Sequence, residues 1–157
     1  DQSNKDEAWT VFLDERERLI RAWDRLKQPV FVLTGDLHNS FAIEITDNVW
    51  EFASGPHNSE NHHIGDEGGH APNGPFQSGP REVNIRWSSY FHPDIPRTEL
   101  RSPMYCVVQI NNARNVPPKL GGSRWIAFPQ PQAIFQFYDG RSGDLLYAES
   151  VIAAPRE

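Results

Sequence analysis

Residues 30–34, Val-Phe-Val-Leu-Thr, restrict the possible folds more than any other stretch, because they form a short unbroken apolar run bounded by Pro29 and Gly35. A run of that length, rich in branched and aromatic side chains and without alternation, reads as a strand buried on both faces. Just upstream, residues 14–27 carry Leu19, Ile20, Trp23 and Leu26, which with Phe12 make one apolar stripe at spacings of three, four and seven. That periodicity predicts an amphipathic helix. Asp14 and Glu15 sit at the end where the helix dipole favours negative charge, and Lys27 followed by Pro29 marks its stop. The Arg and Glu residues of this segment read as a solvated face. A helix followed directly by such a strand is half of an α/β unit.

The strand runs into Gly35-Asp36-Leu37-His38-Asn39-Ser40. Open α/β sheets collect ligands in the crevice outside the carboxyl ends of their strands, and Gly35 offers a residue on which the backbone can turn without a Cβ clash. A neutral imidazole suits zinc, iron or manganese, and an aspartate supplies a hard oxygen or an acceptor that orients an imidazole. His38 and Asp36 are therefore candidate metal ligands. The plainer alternative makes Asp36 a turn former and His38 a hydrogen-bonded structural residue. Asn39 and Ser40 can reach a substrate oxygen or hold a water, or can serve only to stabilise the turn.

Beyond this turn the chain reads as mostly β. Segments 41–45 and 49–53 flank Asp47-Asn48, residue types that tolerate the left-handed conformations of a two-residue hairpin turn. Segments 82–87, 104–112, 133–139 and 144–150 also read as strands, the last two joined by Gly-Arg-Ser-Gly, with a polar Pro/Gly-rich connection over 111–124. Between them, residues 54–80 read as one long irregular loop holding His57, His62, His63 and His70 with Asp66 and Glu67. Loops of that length are functional lids or lack structure. Its histidines can close over a site as general acid or substrate contact, form an auxiliary metal site, or simply lie exposed. His57 has the best catalytic position because it follows the strand expected beside the motif strand, with His62 and His63 as substrate or lid residues. His92, next to Pro93, reads as structural, and most of the five tryptophans read as core.

Composition removes several function classes. With 157 residues the chain is one domain or part of one. Its net charge of −6, with the 15 Lys and Arg scattered, argues against a nucleic-acid groove. The single cysteine rules out an internal disulfide and a cysteine-based zinc cluster. No apolar run approaches a membrane span of roughly 20 residues. The start carries neither a signal-peptide pattern nor a Met, so a processed or truncated chain is expected.

Four pieces taken in order, "DEAWTVFLDERERLI", "VFVLTGDLHNSFAIEI", "VWEFASGPHNS" and "FQFYDGRSGDLLYAE", resemble the C-terminal half of PhoD-like alkaline phosphatases, a branch of the calcineurin-like metallophosphoesterases. The resemblance implies a two-sheet sandwich flanked by helices, of which this chain is a mostly β portion with one main N-terminal helix. It implies hydrolysis of phosphate mono- or diesters at two or more metal ions, of iron, calcium, zinc or manganese. On that pattern His38 is a metal ligand and Asp36 binds metal directly or from behind the ligands; the reading of the residues themselves adds Asn39 and His57 as candidate catalytic residues, with Ser40 as a substrate contact. An exported location, periplasmic, cell-surface or secreted, follows from the resemblance alone. The family's upstream ligand motifs do not occur here: the only Asp-x-His is Asp36-Leu37-His38 itself. Two ions cannot be held by one Asp and one His. The expectation is therefore that residues 1–157 are the C-terminal portion of a longer metallophosphoesterase domain, completed by an N-terminal portion of the same protein or by a companion chain. The alternative is a β-sandwich binding module without catalysis, or a phosphatase relative that has lost its chemistry.

Overall fold

A computed structural model describes residues 9–26, 28–63, 71–89, 91–116, 118, 121–122 and 124–155. His70, Asp66 and Glu67 of the histidine-rich stretch, and Lys27 at the expected helix stop, lie outside the described residues. One helix, α1 (Leu13–Asp24), precedes eight strands: β1 (Val30–Thr34), β2 (Phe41–Glu44), β3 (Val49–Ala53), β4 (Gly74–Ser78), β5 (Arg81–Ser88), β6 (Met104–Asn115), β7 (Trp125–Asp139) and β8 (Leu145–Ile152). A short 3-10 turn, Arg97–Glu99, lies between β5 and β6. The expected mostly β architecture with one main helix is what forms.

The strands make two sheets, one of five strands in the order β1-β3-β2-β5-β4 and one of three in the order β6-β7-β8. Among these strands β1 and β3 pair in parallel and the other pairings are antiparallel; an isolated bridge joins His63 and Phe91 in parallel. Alternate residues of β7, Ala133, Phe135 and Phe137, point to one face and pack with Val151 against Ala42, Trp50 and Phe52 of the larger sheet. Phe52 and Phe135 stack with centroids 3.6 Å apart, and Trp87 stacks on Tyr147 at 5.3 Å. Burial of these rings is the main force holding the sheets face to face, at about 2 kcal/mol or more for each large apolar side chain removed from water. At the edge of this core Arg86 donates to Glu149 at 3.2 Å, and the Tyr147 hydroxyl bonds the same carboxylate. Burial, with Glu149 adding to it, pushes the Tyr147 phenol up to about 12.

Several local expectations are corrected. β1 is an edge strand with a neighbour on one side only, and its Leu33 is 68% exposed, so it is not buried on both faces. The Asp47-Asn48 turn uses no left-handed residue. Instead the Thr46 hydroxyl accepts from the Asn48 and Val49 amides, and Asn48 Nδ2 donates to the carbonyls of Trp23 and Leu26 at the end of α1. The expected loop 54–80 contains β4, and the expected 111–124 connection is shortened at its start, because β6 runs on to Asn115. The face of α1 is not wholly solvated: Glu17 is buried and bridges Arg81 at 2.8 Å, while Arg16 donates to the Ser78 carbonyl at 2.8 Å. These contacts clamp α1 to the β4–β5 turn. There Gly79, at φ +61°, brings its backbone so close that a Cβ would meet Leu13 Cδ2 at 3.0 Å. Of the apolar stripe, Ile20 is buried while Phe12 and Leu26 stay exposed. Trp50 belongs to the core, but Trp9 and Trp125 are exposed, against the core role expected for most tryptophans.

Candidate functional site

β1 delivers its last residue, Thr34, beside Ala53 at the end of its parallel neighbour β3. The chain then turns at Asp36, the only described non-glycine residue with positive φ, at +66°. Gly35 does not carry the turn: its φ is not positive, and a Cβ there would meet nothing within 4 Å. Aspartate is among the few side chains that accept the left-handed region, and a strained residue at a strand end marks a place where geometry is held for a purpose.

The segment leaving β3 wraps back around this turn and fixes it. The Gly55 amide donates to Ser40 Oγ at 2.7 Å, the Ser40 amide donates to Ser89 Oγ at 2.8 Å, and the His62 amide donates to the His38 carbonyl at 3.0 Å. The fit is close enough that a Cβ on Gly55 would come within 2.9 Å of Ser40 Oγ. Ser40 is fully buried, so its hydroxyl serves this contact rather than the surface.

His38 Nδ1 lies 2.5 Å from the Glu60 carbonyl oxygen. A carbonyl only accepts, so Nδ1 carries a proton, and in the neutral ring the lone pair is on Nε2. This is the arrangement in which metal-binding histidines are held, with one ring nitrogen anchored to a carbonyl and the other free to ligate. The His38 ring stacks on that of His62 with centroids 4.3 Å apart. Both rings line an open cleft of about 440 Å³, together with Asn58, Ser59 and Glu60 of the same wrapping segment and with Arg97 and Arg101.

The other residues singled out by sequence fall in different places. Asp36 is exposed and does not line the cleft; neither does His57, which is exposed. His63 donates from Nε2 to the Ile95 carbonyl at 2.8 Å, and so ties the loop to the 91–96 segment. His92 is exposed beside Asp94. Asn39 is 1% exposed, and neither of its side-chain polar atoms has a hydrogen-bond partner among the described residues. A buried amide left unbonded costs about 1–3 kcal/mol, so this position suits a group that something else must satisfy. Sequence reasoning missed Arg97 and Arg101, whose only signal was basic charge in a chain of net −6.

The donor set fits a metal in part. His38 has the tautomer and anchoring of a ligand, but among the described residues no three His, Cys, Asp or Glu side chains converge to hold an ion. Among the same residues no helix is long and apolar enough to cross a membrane. No curated protein and no solved structure matches the chain. A family model does: that of the PhoD-like phosphatases matches residues 1–99, which include α1, the Gly-Asp-Leu-His turn and the wrapping segment that lines the cleft. The chain belongs to the PhoD-like phosphatases.

Proposed function

We infer that this chain supplies His38 as a metal ligand to a phosphate ester hydrolase whose remaining ligands come from an N-terminal portion of the same protein or a companion chain. The observation that carries this reading is the Nδ1 bond to the Glu60 carbonyl, which leaves Nε2 as the ligating nitrogen. Two or more ions of the iron, calcium, zinc or manganese kind would supply Lewis acidity toward the phosphate oxygens and a hydroxide near neutral pH.

The chain's own residues do the rest of what this half of the site requires. The stacked His62 ring and the backbone bond from His62 to His38 hold the ligand's orientation. Among the described histidines of the loop, His62 is the one that shares the cleft with His38, so the general-acid role passes to it, with His57 outside that cleft. The Asn39 amide, buried and outside the cleft lining, would meet a water or a phosphate oxygen only where the completing portion opens a path to it. Asp36, exposed at the same turn, would bind metal directly or from behind the ligands once the completing portion is in place. The edge of β1, unpaired among the described residues, leaves backbone groups for a further strand, and Leu33, 68% exposed, leaves an apolar side chain for a covering layer; both suit a completing portion. Phosphate monoesters or diesters are the substrate class, and an exported location is in keeping with it.

The test is metal analysis of the purified assembly with and without His38→Ala, together with hydrolysis of p-nitrophenyl phosphate and bis-p-nitrophenyl phosphate. Substitution is expected to lower bound transition metal and abolish turnover. Unchanged metal content and activity would favour the non-catalytic binding module.

A further inference from the structure

Arg97 and Arg101 give the His38 cleft a character that metal chemistry alone does not require. The protein as a whole carries −6, so its overall field repels anions. In this cleft, however, two guanidinium groups and two imidazoles face one carboxylate, Glu60. Glu60 accepts only a long contact of 3.4 Å from Arg101 Nε. Among the described residues the terminal nitrogens of Arg101 are left for two oxygens of a phosphoryl or carboxylate group, which guanidinium binds through paired hydrogen bonds.

The segment bearing these arginines is not a loose loop. Leu100 is 1% exposed and anchors it. The neighbouring carbonyls of Leu100 and Ser102 both accept from Asn61 Nδ2 at 2.8 Å, and the Leu100 carbonyl also accepts from the Asn61 amide at 2.9 Å. Asn61 is itself buried and adjoins His62, whose amide donates to the His38 carbonyl. The Arg101 carbonyl is in turn bonded by the Arg141 guanidinium. A continuous run of hydrogen bonds therefore fixes the backbone that bears Arg101 relative to His38.

We propose that Arg97 and Arg101 form an anion subsite beside His38 that selects phosphoesters carrying a second anionic group. This rests on the hydrolase reading for its biological meaning, though not for its binding chemistry. Metal ions held by His38 would themselves neutralise the phosphate that is cleaved, which leaves the two guanidinium groups for another anion. At about 440 Å³ the cleft is also in the range that holds an organic ligand, well beyond a bare phosphate.

The test is calorimetric binding of propane-1,3-bisphosphonate and of propylphosphonate to the purified assembly at low ionic strength. Wild-type protein is expected to prefer the bisphosphonate by about tenfold or more, as paired charge-assisted bonds would give. In the Arg97→Gln/Arg101→Gln double variant the preference should collapse to within about threefold, with propylphosphonate binding little changed. Arg101→Lys, which keeps the charge and loses the fork, should fall between. Both side chains are exposed, so thermal melting of the variants should match wild type. A wild-type protein without the preference, or a double variant that retains it, overturns the proposal. Failure of the hydrolase reading shows separately, as absent p-nitrophenyl phosphate turnover, and leaves the bisphosphonate preference in place.

Discussion

Replacing Asn61 by alanine removes the buried side chain that joins the histidine segment to the backbone of the arginine segment. Asn61 Nδ2 makes two bonds of 2.8 Å, to the carbonyls of Leu100 and Ser102, from a residue only 1% exposed. An unmade buried bond costs about 1–3 kcal/mol, but the two losses are unequal. The Leu100 carbonyl keeps the bond from the Asn61 amide, and the half-buried Ser102 can take up water. Asn61 Oδ1 has no partner among the described residues, so deleting it returns some desolvation energy. The net cost is then about 2 kcal/mol. With a urea m-value of about 2 kcal/mol/M, the unfolding midpoint should fall by about 1 M with an unchanged slope. Asn61→Asp is the sharper variant, since its carboxylate cannot donate and faces the same two carbonyl oxygens. Its folded-state pKa would be raised, so its penalty should be full well above neutral pH and shrink as pH falls and the acid gains a proton to donate. An alanine variant within about 0.5 kcal/mol of wild type, or an aspartate variant with no pH dependence, would refute the idea that this amide braces the cleft.

Gly55→Ala places a Cβ within 2.9 Å of Ser40 Oγ and 3.1 Å of the Asn39 carbonyl carbon; it should cost about 1–3 kcal/mol by denaturant titration and lower metal occupancy by displacing the turn that carries His38. Phe135→Ala removes a ring that is 1% exposed and stacked on Phe52, for an expected loss of about 3–5 kcal/mol; a change below about 1 kcal/mol would mean that the two sheets are not packed through this ring. Burial disfavours the Glu17 carboxylate, but hydrogen bonds and charge from Arg81 and Arg16 outweigh it and hold its carboxyl below the ordinary value of 4.5. A lowered folded-state value means that the clamp on α1 adds stability above the ordinary value and loses it as pH falls through the folded one. Melting temperatures of Glu17→Gln should therefore converge on wild type at acid pH and lie below it near neutrality.

Sequence alone settled what local chemistry can settle. β1 and β3 fall at residues 30–34 and 49–53 as their apolar runs dictate, β6 and β7 contain the segments read as strands there, and β8 covers all but the first residue of the segment read as 144–150. The last turn follows its Gly-Arg-Ser-Gly residues, with Asp139 Oδ1 accepting from the Arg141 and Ser142 amides. His38 was legible because a histidine just past the carboxyl end of an apolar strand has few positions to occupy. Tertiary structure decided what depends on residues distant in sequence. β4 was hidden in a Gly- and Pro-rich stretch because its pairing with β5, not its own composition, makes it a strand. Glu17 and Arg16 looked like a solvated face until the β4–β5 turn arrived to bury them. The proton position on His38 depends on a carbonyl 22 residues away, and the meeting of His38 with Arg97 and Arg101 depends on Asn61 reaching residues 39 and 41 positions further on. Periodicity encodes which face of an element is apolar. Which partner meets that face, and which nitrogen of an imidazole is left to act, is set only when the chain closes on itself.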